Sequence, residues 1–254
     1  MRIISIFYIW RRDITIFLQN WFSNFQRVLI GPLAYFFIFG VILSPSGLVA
    51  ENFISIIFPG FLMTTILACG FFGVAINLSV QRTFLKSLEE EMMCPISYRE
   101  LYLAKLCYGL FQCFLTSSIM ILLGLFFLDL NIMNWFALIL NLIAISLSSC
   151  SWGIIAAVCL SNPRKVTNLG NTLFVILGYL GCTFYSLNIA IELNKYFGYT
   201  LLFIPSTYFS ELFRMAVNNY NSYLIGTFII LVVIIITILS IIISIKIFEK
   251  GIQN

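Results

Sequence analysis

Charged side chains, which carry most binding and catalytic chemistry, are concentrated in one stretch of this chain, residues 82–105. The chain of 254 residues is 61% hydrophobic and only 9% charged. The charged members of the stretch are Arg82, Lys86, Glu89, Glu90, Glu91, Arg99, Glu100 and Lys105. An ionised side chain is costly in hydrocarbon, so we expect the whole stretch to lie in water between two membrane spans.

The same stretch carries signals for two helices that are separated by a break. Ser87–Met93 is predicted to form a short helix, and Pro95 ends it because proline lacks a backbone N–H. Ser97 and Glu100 then form an S-x-x-E capping box, which predicts the start of the next helix. This is more structure than a tether needs, so the pattern favours a docking surface for a soluble partner. The alternative is a solvated connecting loop.

The residue types that several other membrane chemistries require are missing. The sequence has no histidine, and no Asp or Glu falls in the middle of an apolar span. These absences argue against the ion relays of secondary transporters, intramembrane aspartyl proteolysis and a metal site, so we predict no catalytic residue and no metal ligand. No GxxxxGK[ST] motif is present, so the chain is expected to bind no ATP or other cofactor itself.

Composition predicts an all-α, polytopic membrane protein that forms a single domain over residues 1–254. The mean hydropathy is +1.03, and the net charge of +4 is attributed to topology, with no nucleic-acid partner. Six transmembrane helices are expected, since about 20 apolar residues cross the bilayer core. They are placed near residues 28–43, 54–80, 103–128, 135–160, 166–189 and 223–245.

Residues 1–22 are predicted to form an amphipathic helix that lies along the membrane surface. Its apolar face at helical spacing comprises Ile3, Phe7, Trp10, Ile14, Phe17, Leu18 and Trp21. Arg11 and Arg12 are expected at the cytoplasmic interface, within reach of residues 89–91 or acidic lipid. We expect this helix to move with the charged segment; a passive surface anchor is the alternative.

The distribution of basic residues predicts that both termini are cytoplasmic. The N-terminus, residues 81–102, residues 161–165 and the C-terminus are assigned to one side of the membrane. This arrangement leaves only Lys195 and Arg214, of 14 basic residues, on the other side. A bias of this size is the positive-inside signal, so the charged segment is predicted to be cytoplasmic too.

Two predicted spans carry faces that are unlike lipid-facing helices. The stripe on the fifth span comprises Asn168, Asn171, Thr172, Tyr179, Cys182, Thr183 and Ser186. The face on the second span comprises Phe61, Thr64, Thr65, Ala68, Phe72, Ala75 and Ser79. Polar groups in hydrocarbon need partners, so each face is predicted to line a substrate path or a subunit interface. Ordinary helix–helix packing within one subunit is the alternative.

Residues 190–222 are predicted to form an external loop that contains one short helix, residues 207–216. Glu211 and Arg214 can pair within it at i,i+3 spacing. We expect this helix to cap the exit of a path as an external gate. The predicted gate residues are Pro205, Tyr208, Glu211 and Arg214.

Four short motifs, together with the order of the predicted elements, resemble a known family. The motifs are FPGFLM (58–63), LEEEMMCPIS (88–97), GYLGCTFYSL (178–187) and IPSTYFSELFR (204–214). They look like the ABC-2-type permeases of ATP-driven exporters, among them nodulation-factor, lipooligosaccharide and daunorubicin-type drug exporters. The resemblance covers nearly the whole chain. One departure is Asn188-Ile189-Ala190, where relatives often carry prolines.

The resemblance implies two permease copies that pair with two separate cytoplasmic P-loop ATPase subunits, which bind ATP and Mg, in the inner (cytoplasmic) membrane. It implies that residues 82–102 dock on the ATPase and that the second and fifth spans line the path. The coupling residues are then Arg11, Arg12, Glu89, Glu90, Glu91, Pro95, Arg99 and Glu100. The path or dimer residues are then Thr64, Thr65, Phe72, Asn168, Asn171, Thr172, Tyr179 and Thr183.

We therefore predict the membrane subunit of an ATP-driven exporter for an amphipathic or lipid-linked substrate. Six spans without intramembrane acids are too few to enclose such a route, which favours a two-fold homodimer. The alternative is a non-transporting membrane assembly or scaffold protein, and a membrane enzyme ranks third. Drug, glycolipid and glycan remain open as substrates.

Overall fold

The computed structural model describes residues 3–19, 30, 53–127, 132–160, 162–218 and 226–253, and these ranges contain no β-strand. The helices within them are α1 (Ile3–Gln19), α2 (Phe53–Thr83), α3 (Ser87–Met93), α4 (Tyr98–Phe127), α5 (Trp135–Cys159), α6 (Pro163–Leu180), α7 (Leu187–Leu193), α8 (Lys195–Leu201), α9 (Pro205–Asn218) and α10 (Gly226–Gln253). The prediction of an all-α chain is confirmed for this part of the sequence.

Four of the described helices are long and apolar enough to cross a membrane. These segments are Ile57–Thr83, Tyr98–Phe126, Trp135–Cys159 and Gly226–Gly251. They correspond to the second, third, fourth and sixth predicted spans. The first predicted span, residues 28–43, lies outside the described residues except for Ile30, so the number six stays a prediction.

The long helix α2 lies at the centre of the bundle, where it packs against α4, α5, α6 and α9. Leu62 and Ile66 of α2 are fully buried, as are Ile145 and Ile154 of α5. Helix α10 packs on α5 with one face and exposes large aliphatic side chains on the other, as a lipid-facing helix does. The exposed set includes Leu231, Ile235, Ile238, Leu239 and Ile242.

Several basic segments of the chain meet at one end of the bundle. The Arg82 guanidinium at the end of α2 donates to the carbonyl of Val158 at 2.6 Å and to that of Gly251 at 3.5 Å. It thereby joins the ends of α5 and α10. At the opposite end, the backbone N–H of Asn134 donates to the Ala216 carbonyl at 3.0 Å. The segments that were assigned to one side of the membrane from their basic residues therefore lie at one end of the bundle. That this end is cytoplasmic stays a prediction.

The fifth predicted span, residues 166–189, is wrong in its extent. Helix α6 begins as the Asn162-Pro163 pair suggests, with the Asn162 Oδ1 accepting the Arg164 N–H at 3.0 Å. It ends at Leu180, and Cys182 has a left-handed φ of 57°. The chain then restarts as α7 after Ser186, whose hydroxyl caps the Ile189 N–H at 3.4 Å.

The predicted external loop at residues 190–222 is also wrong in its content, because most of its described part is helical. Helices α7 and α8 form a hairpin, and Gly198 permits their close crossing: a Cβ there would lie 2.4 Å from the Ile191 Cγ1. The single short helix expected at residues 207–216 is present as α9 and is longer. It packs against α2, α5 and α10, so it belongs to the bundle.

Candidate functional site

The segment between α2 and α4 has the local structure that its sequence predicts. Helix α3 covers Ser87–Met93, follows Lys86 with its left-handed φ of 51°, and ends before the exposed Pro95. The capping box is formed in both directions. The Ser97 N–H donates to Glu100 Oε2 at 3.3 Å, and the Glu100 N–H donates to Ser97 Oγ at 3.4 Å.

The expectation that all charges of this segment face water is wrong for three of them. Glu91, Glu100 and Lys105 are only 8%, 5% and 2% exposed. Glu100 caps its own helix, whereas the other two belong to an ion cluster. Glu90 is exposed, and the Glu89 side chain lies outside the described residues.

The ion cluster lies where α1, α2, α3 and α4 meet. The Lys105 ammonium donates to Asp13 Oδ2 at 2.8 Å and to Gln81 Oε1 at 2.6 Å, and lies 3.5 Å from Glu91 Oε2. Asp13 is fully buried, and its Oδ1 also accepts the Gln81 amide at 3.3 Å. A buried charge is tolerated when it is paired and hydrogen-bonded, so these contacts explain how a lysine fits inside the bundle. We call Arg12, Asp13, Gln81, Glu91 and Lys105 the ion cluster.

Arg12 completes the cluster from its half-exposed edge. Its guanidinium donates to Asp13 Oδ1 at 2.8 and 3.2 Å and also contacts Glu91. Burial alone would lower the pKa of Arg12, but the two neighbouring carboxylates outweigh burial and raise the pKa. The contact between Arg12 and residues 89–91 that the sequence suggested is therefore present at Glu91. Arg11 is exposed.

Helix α1 packs on α4 through a face that shares Trp10 and Phe17 with the predicted apolar face but has Asp13 at its centre. Ile9, Asp13 and Phe17 are its buried positions, whereas Phe7 and Leu18 are 50% and 54% exposed. The Phe17 ring meets the rings of Tyr108 and Phe111 at centroid distances of 6.3 and 6.5 Å. The spacing of apolar residues did not predict this face, because the residue at the centre of the face is the charged and buried Asp13.

Large exposed side chains lie before and at the end of α3, in the segment that joins α2 to α4. Phe84, Leu85 and Met93 are 71%, 64% and 87% exposed, which is unusual for large apolar side chains grouped in a charged segment. Glu90 and Pro95 are exposed beside them. Arg99 is 77% exposed and pairs with Glu249 of α10 at 3.0 Å. We call these residues the docking surface: Phe84, Leu85, Glu90, Met93, Pro95 and Arg99.

The predicted path residues on α2 face α6 of the same chain. The Phe72 ring lies 4.9 Å from the Phe174 ring, and a Cβ at Gly178 would meet the Thr64 methyl group at 3.6 Å. Thr64 and Thr65 donate to the Phe61 carbonyl of their own helix at 3.0 and 2.6 Å. In the described residues, this face therefore packs within one subunit.

The polar stripe of α6 lies on the face turned away from α2. Asn168, Asn171 and Thr172 are exposed, while Gly170 is buried against the Phe71 and Phe72 rings. Thr183 is not part of this helix: it lies in the bend after α6, where it is buried and donates to the Gly178 carbonyl. The Tyr179 side chain is outside the described residues.

The predicted gate residues Glu211 and Arg214 form the expected pair at 2.9 Å, but both are buried. Arg214 donates to the carbonyls of Cys182 and, at 3.3 Å, of Thr183, while Glu211 Oε1 accepts the Leu187 N–H at 3.0 Å. The pair thus fixes both ends of the bend between α6 and α7. Half-buried Tyr208 donates to the Leu202 carbonyl at 2.9 Å, and Pro205 begins α9.

The site residues that sequence reasoning missed are Asp13, Gln81 and the structural role of Lys105. Asp13 is the one acidic residue among the first 50, and Lys105 stands alone in an otherwise apolar run. Isolated opposite charges in or beside membrane spans need partners. The sequence could therefore have predicted that Asp13 and Lys105 pair with each other. The exposed apolar members of the docking surface had no comparable signal, because single apolar residues in a loop are common.

A bundle of long apolar helices with an ordered, charged segment at one end defines a polytopic integral membrane protein. The family model described as ABC-2 type transporter matches residues 4–218, and the chain belongs to this family. It is a permease component of an ABC transporter, a transport subunit that is not itself catalytic. Members of this family work in a membrane with an ATPase subunit. Comparison with curated proteins finds no match.

Proposed function

We propose that the chain is the membrane subunit of an ATP-driven exporter in the cytoplasmic membrane. Two copies form a homodimer and work with two copies of a cytoplasmic P-loop ATPase, which binds ATP and Mg. The substrate is amphipathic or lipid-linked, since the residues assigned to the path are weakly polar and aromatic rather than ionised. Both termini and the docking surface face the cytoplasm.

The observation that carries the proposal is the docking surface. Three large apolar side chains, Phe84, Leu85 and Met93, stand exposed on a segment that ion pairs tie to the bundle. Exposed apolar side chains rimmed by charge are typical of a protein interface, and a soluble ATPase fits this position in a membrane transporter. The ion pairs of Glu91 with α1 and α4 give a force applied at α3 a route into the spans, and Arg99 of α4 extends that route to Glu249 of α10.

Met93→Asp is expected to reduce copurification of the ATPase about tenfold, because it places a charge at the most exposed apolar position of the docking surface. Leu193→Asp is the matched control: Leu193 is 83% exposed on α7, at the other end of the bundle. It is expected to leave the amount of copurified ATPase unchanged.

Charge reversal at Glu90 tests the ionic part of the same surface and should weaken association more at low salt than at high salt. If the Met93 variant and the triple lysine variant of residues 89–91 both retain the ATPase and full transport, the docking role is wrong. A purified chain that never retains an ATPase would favour the scaffold alternative.

Cysteine scanning of residues 168–186 is expected to give reactivity or subunit-to-subunit crosslinks at Asn168, Asn171 and Thr172. These positions share the exposed face of α6, which the proposal assigns to the dimer interface or path. Phe174 serves as the control, because it faces α2 within the chain and should stay unreactive. The exposed native thiols of Cys94 and Cys159 must be replaced first.

A second outcome of the scan would contradict the proposed path. If the reactive positions follow Leu169, Leu173, Ile176 and Leu180, the polar stripe meets neither water nor the second subunit and the path lies elsewhere. Hydrogen bonds between two stripes would each contribute roughly 0.6 to 2 kcal/mol in a membrane, so a dimer held there should weaken in the Asn171→Leu variant.

A further inference from the structure

We propose that Glu91 makes a releasable ionic contact between α3, the helix of the docking surface, and a group of three helices that stay together, α1, α2 and α4. We call these three helices the fixed body. Glu91 is then a positioning residue: it sets where α3 lies, while neighbouring residues of the docking surface meet the partner. The inference rests on the proposed ATPase-driven function, because it concerns how movement of α3 reaches the spans.

The fixed body is held by Asp13. This buried carboxylate receives hydrogen bonds from Lys105 of α4 at 2.8 Å and Gln81 of α2 at 3.3 Å, and from its neighbour Arg12 at 2.8 Å. The rings of Trp10 and Phe17 pack against Phe111 of α4 beside it. Hydrogen bonds and ring contacts therefore attach α1 directly to the membrane-spanning helices.

Glu91 is attached differently. It lies 3.5 Å from the Lys105 ammonium, which is longer than the 2.8 and 2.6 Å contacts of that ammonium with Asp13 and Gln81, so its link to α4 is the looser one. Its closer contact is with the guanidinium of Arg12, at the half-exposed edge of the cluster. Both cations that Glu91 meets, Arg12 and Lys105, already have Asp13 as a partner. If Glu91 leaves, each cation keeps an anion, whereas loss of Asp13 would leave two cations to share Glu91.

Glu90 and Glu91 are adjacent acids with different roles: one faces the partner and the other holds α3 in place. Glu90 is exposed on the docking surface, while Glu91 is 8% exposed and points at the cluster. A partner that moves α3 would therefore stretch the Glu91 contacts first and leave the Asp13 contacts in place. This differs from the expectation that α1 moves with α3: here α1 stays with the spans, and α3 moves against it.

The test compares two isosteric changes at adjacent acids, Glu91→Gln and Glu90→Gln, in the full chain in lipid nanodiscs. Nitroxide labels at positions 93 and 8 report the α3–α1 distance, and labels at positions 114 and 8 report the α4–α1 distance. All three positions are exposed in the structure. Glu91→Gln should broaden the α3–α1 distance distribution and leave the α4–α1 distribution unchanged, while Glu90→Gln should change neither.

Two results would overturn the inference: an unchanged α3–α1 distribution in Glu91→Gln, or equal broadening of both distributions. These measurements need no ATPase, so they stand or fall separately from the proposed function. In the complete complex, Glu91→Gln should lower transport per ATP hydrolysed at least about fivefold while the ATPase still copurifies. Glu192→Gln, a change at an exposed acid of α7, is the control for that ratio.

Discussion

Replacing Lys105 by methionine should lower the free energy of unfolding by about 3–5 kcal/mol, because it removes one of the two cations that pair with the buried Asp13 carboxylate. Asp13 is fully buried and Glu91 is 8% exposed, and in the variant both carboxylates keep only Arg12 as a cation. Methionine matches the length of the lysine stem, which keeps the loss of packing small. Reversible unfolding in detergent, followed by tryptophan fluorescence, measures the effect.

A second substitution separates loss of the ion pair from loss of packing. In Asp13→Leu with Lys105→Met, both charges of the Lys105–Asp13 pair are gone and Arg12 still neutralises Glu91. The double variant should therefore recover most of the stability that either single variant loses, since replacing a whole buried pair by apolar groups is often neutral. Arg99→Met is the control: its exposed pair with Glu249 should contribute no more than about 1 kcal/mol. Equal losses in the single and double variants would contradict the ionic explanation.

The docking segment was predicted closely from the sequence because its signals are local. Ser87–Met93 is helical, Pro95 lies in the break that follows, and the Ser97–Glu100 capping box forms within four residues. Each of these features depends on neighbours in the chain, so one short window contains the information. The same window could not show which glutamate faces inward, because the partners of Glu91 lie on other helices.

The end of α6 was predicted wrongly, because the contacts that determine it are not local in the sequence. The apolar run continues through residues 173–191, and hydropathy alone extends the helix to residue 189. The helix stops at Leu180 because α9 supplies other partners for the backbone: Ser206 Oγ donates to the Leu177 carbonyl and Ser210 Oγ to the Gly181 carbonyl, both at 2.9 Å. Those donors lie about thirty residues further along the chain, so no local pattern predicts the bend.

The family resemblance predicted the class of protein correctly, but it did not predict what the α2 face contacts. The matching family confirms a permease, while the α2 residues Thr64 and Phe72 pack on α6 of their own chain. A face of small, polar and aromatic residues is what close helix packing and a substrate path both require. Residue types alone could not separate these two uses, whereas the exposure of Asn168, Asn171 and Thr172 keeps α6 available for a partner.

Replacing Arg214 by methionine should also lower the free energy of unfolding by about 3–5 kcal/mol, and it should release the bend between α6 and α7. The change leaves the fully buried Glu211 without its cation and removes a donor from the Cys182 and Thr183 carbonyls. The bend lies directly against α2, since a Cβ at Gly60 would stand 2.2 Å from the Thr183 carbonyl oxygen.

Hydrogen exchange resolved by peptide locates the effect of Arg214→Met. Exchange should rise in residues 181–204, which include the α7–α8 hairpin, and stay unchanged in residues 87–105 at the other end of the bundle. Glu211→Gln should have a smaller effect, because a glutamine oxygen can still accept the Leu187 N–H that Glu211 accepts at 3.0 Å. Lys195→Met, at an exposed cation of α8, is the control and should change neither region. A uniform rise in exchange along the chain would mean that Arg214 stabilises the whole bundle and does not stabilise the bend in particular.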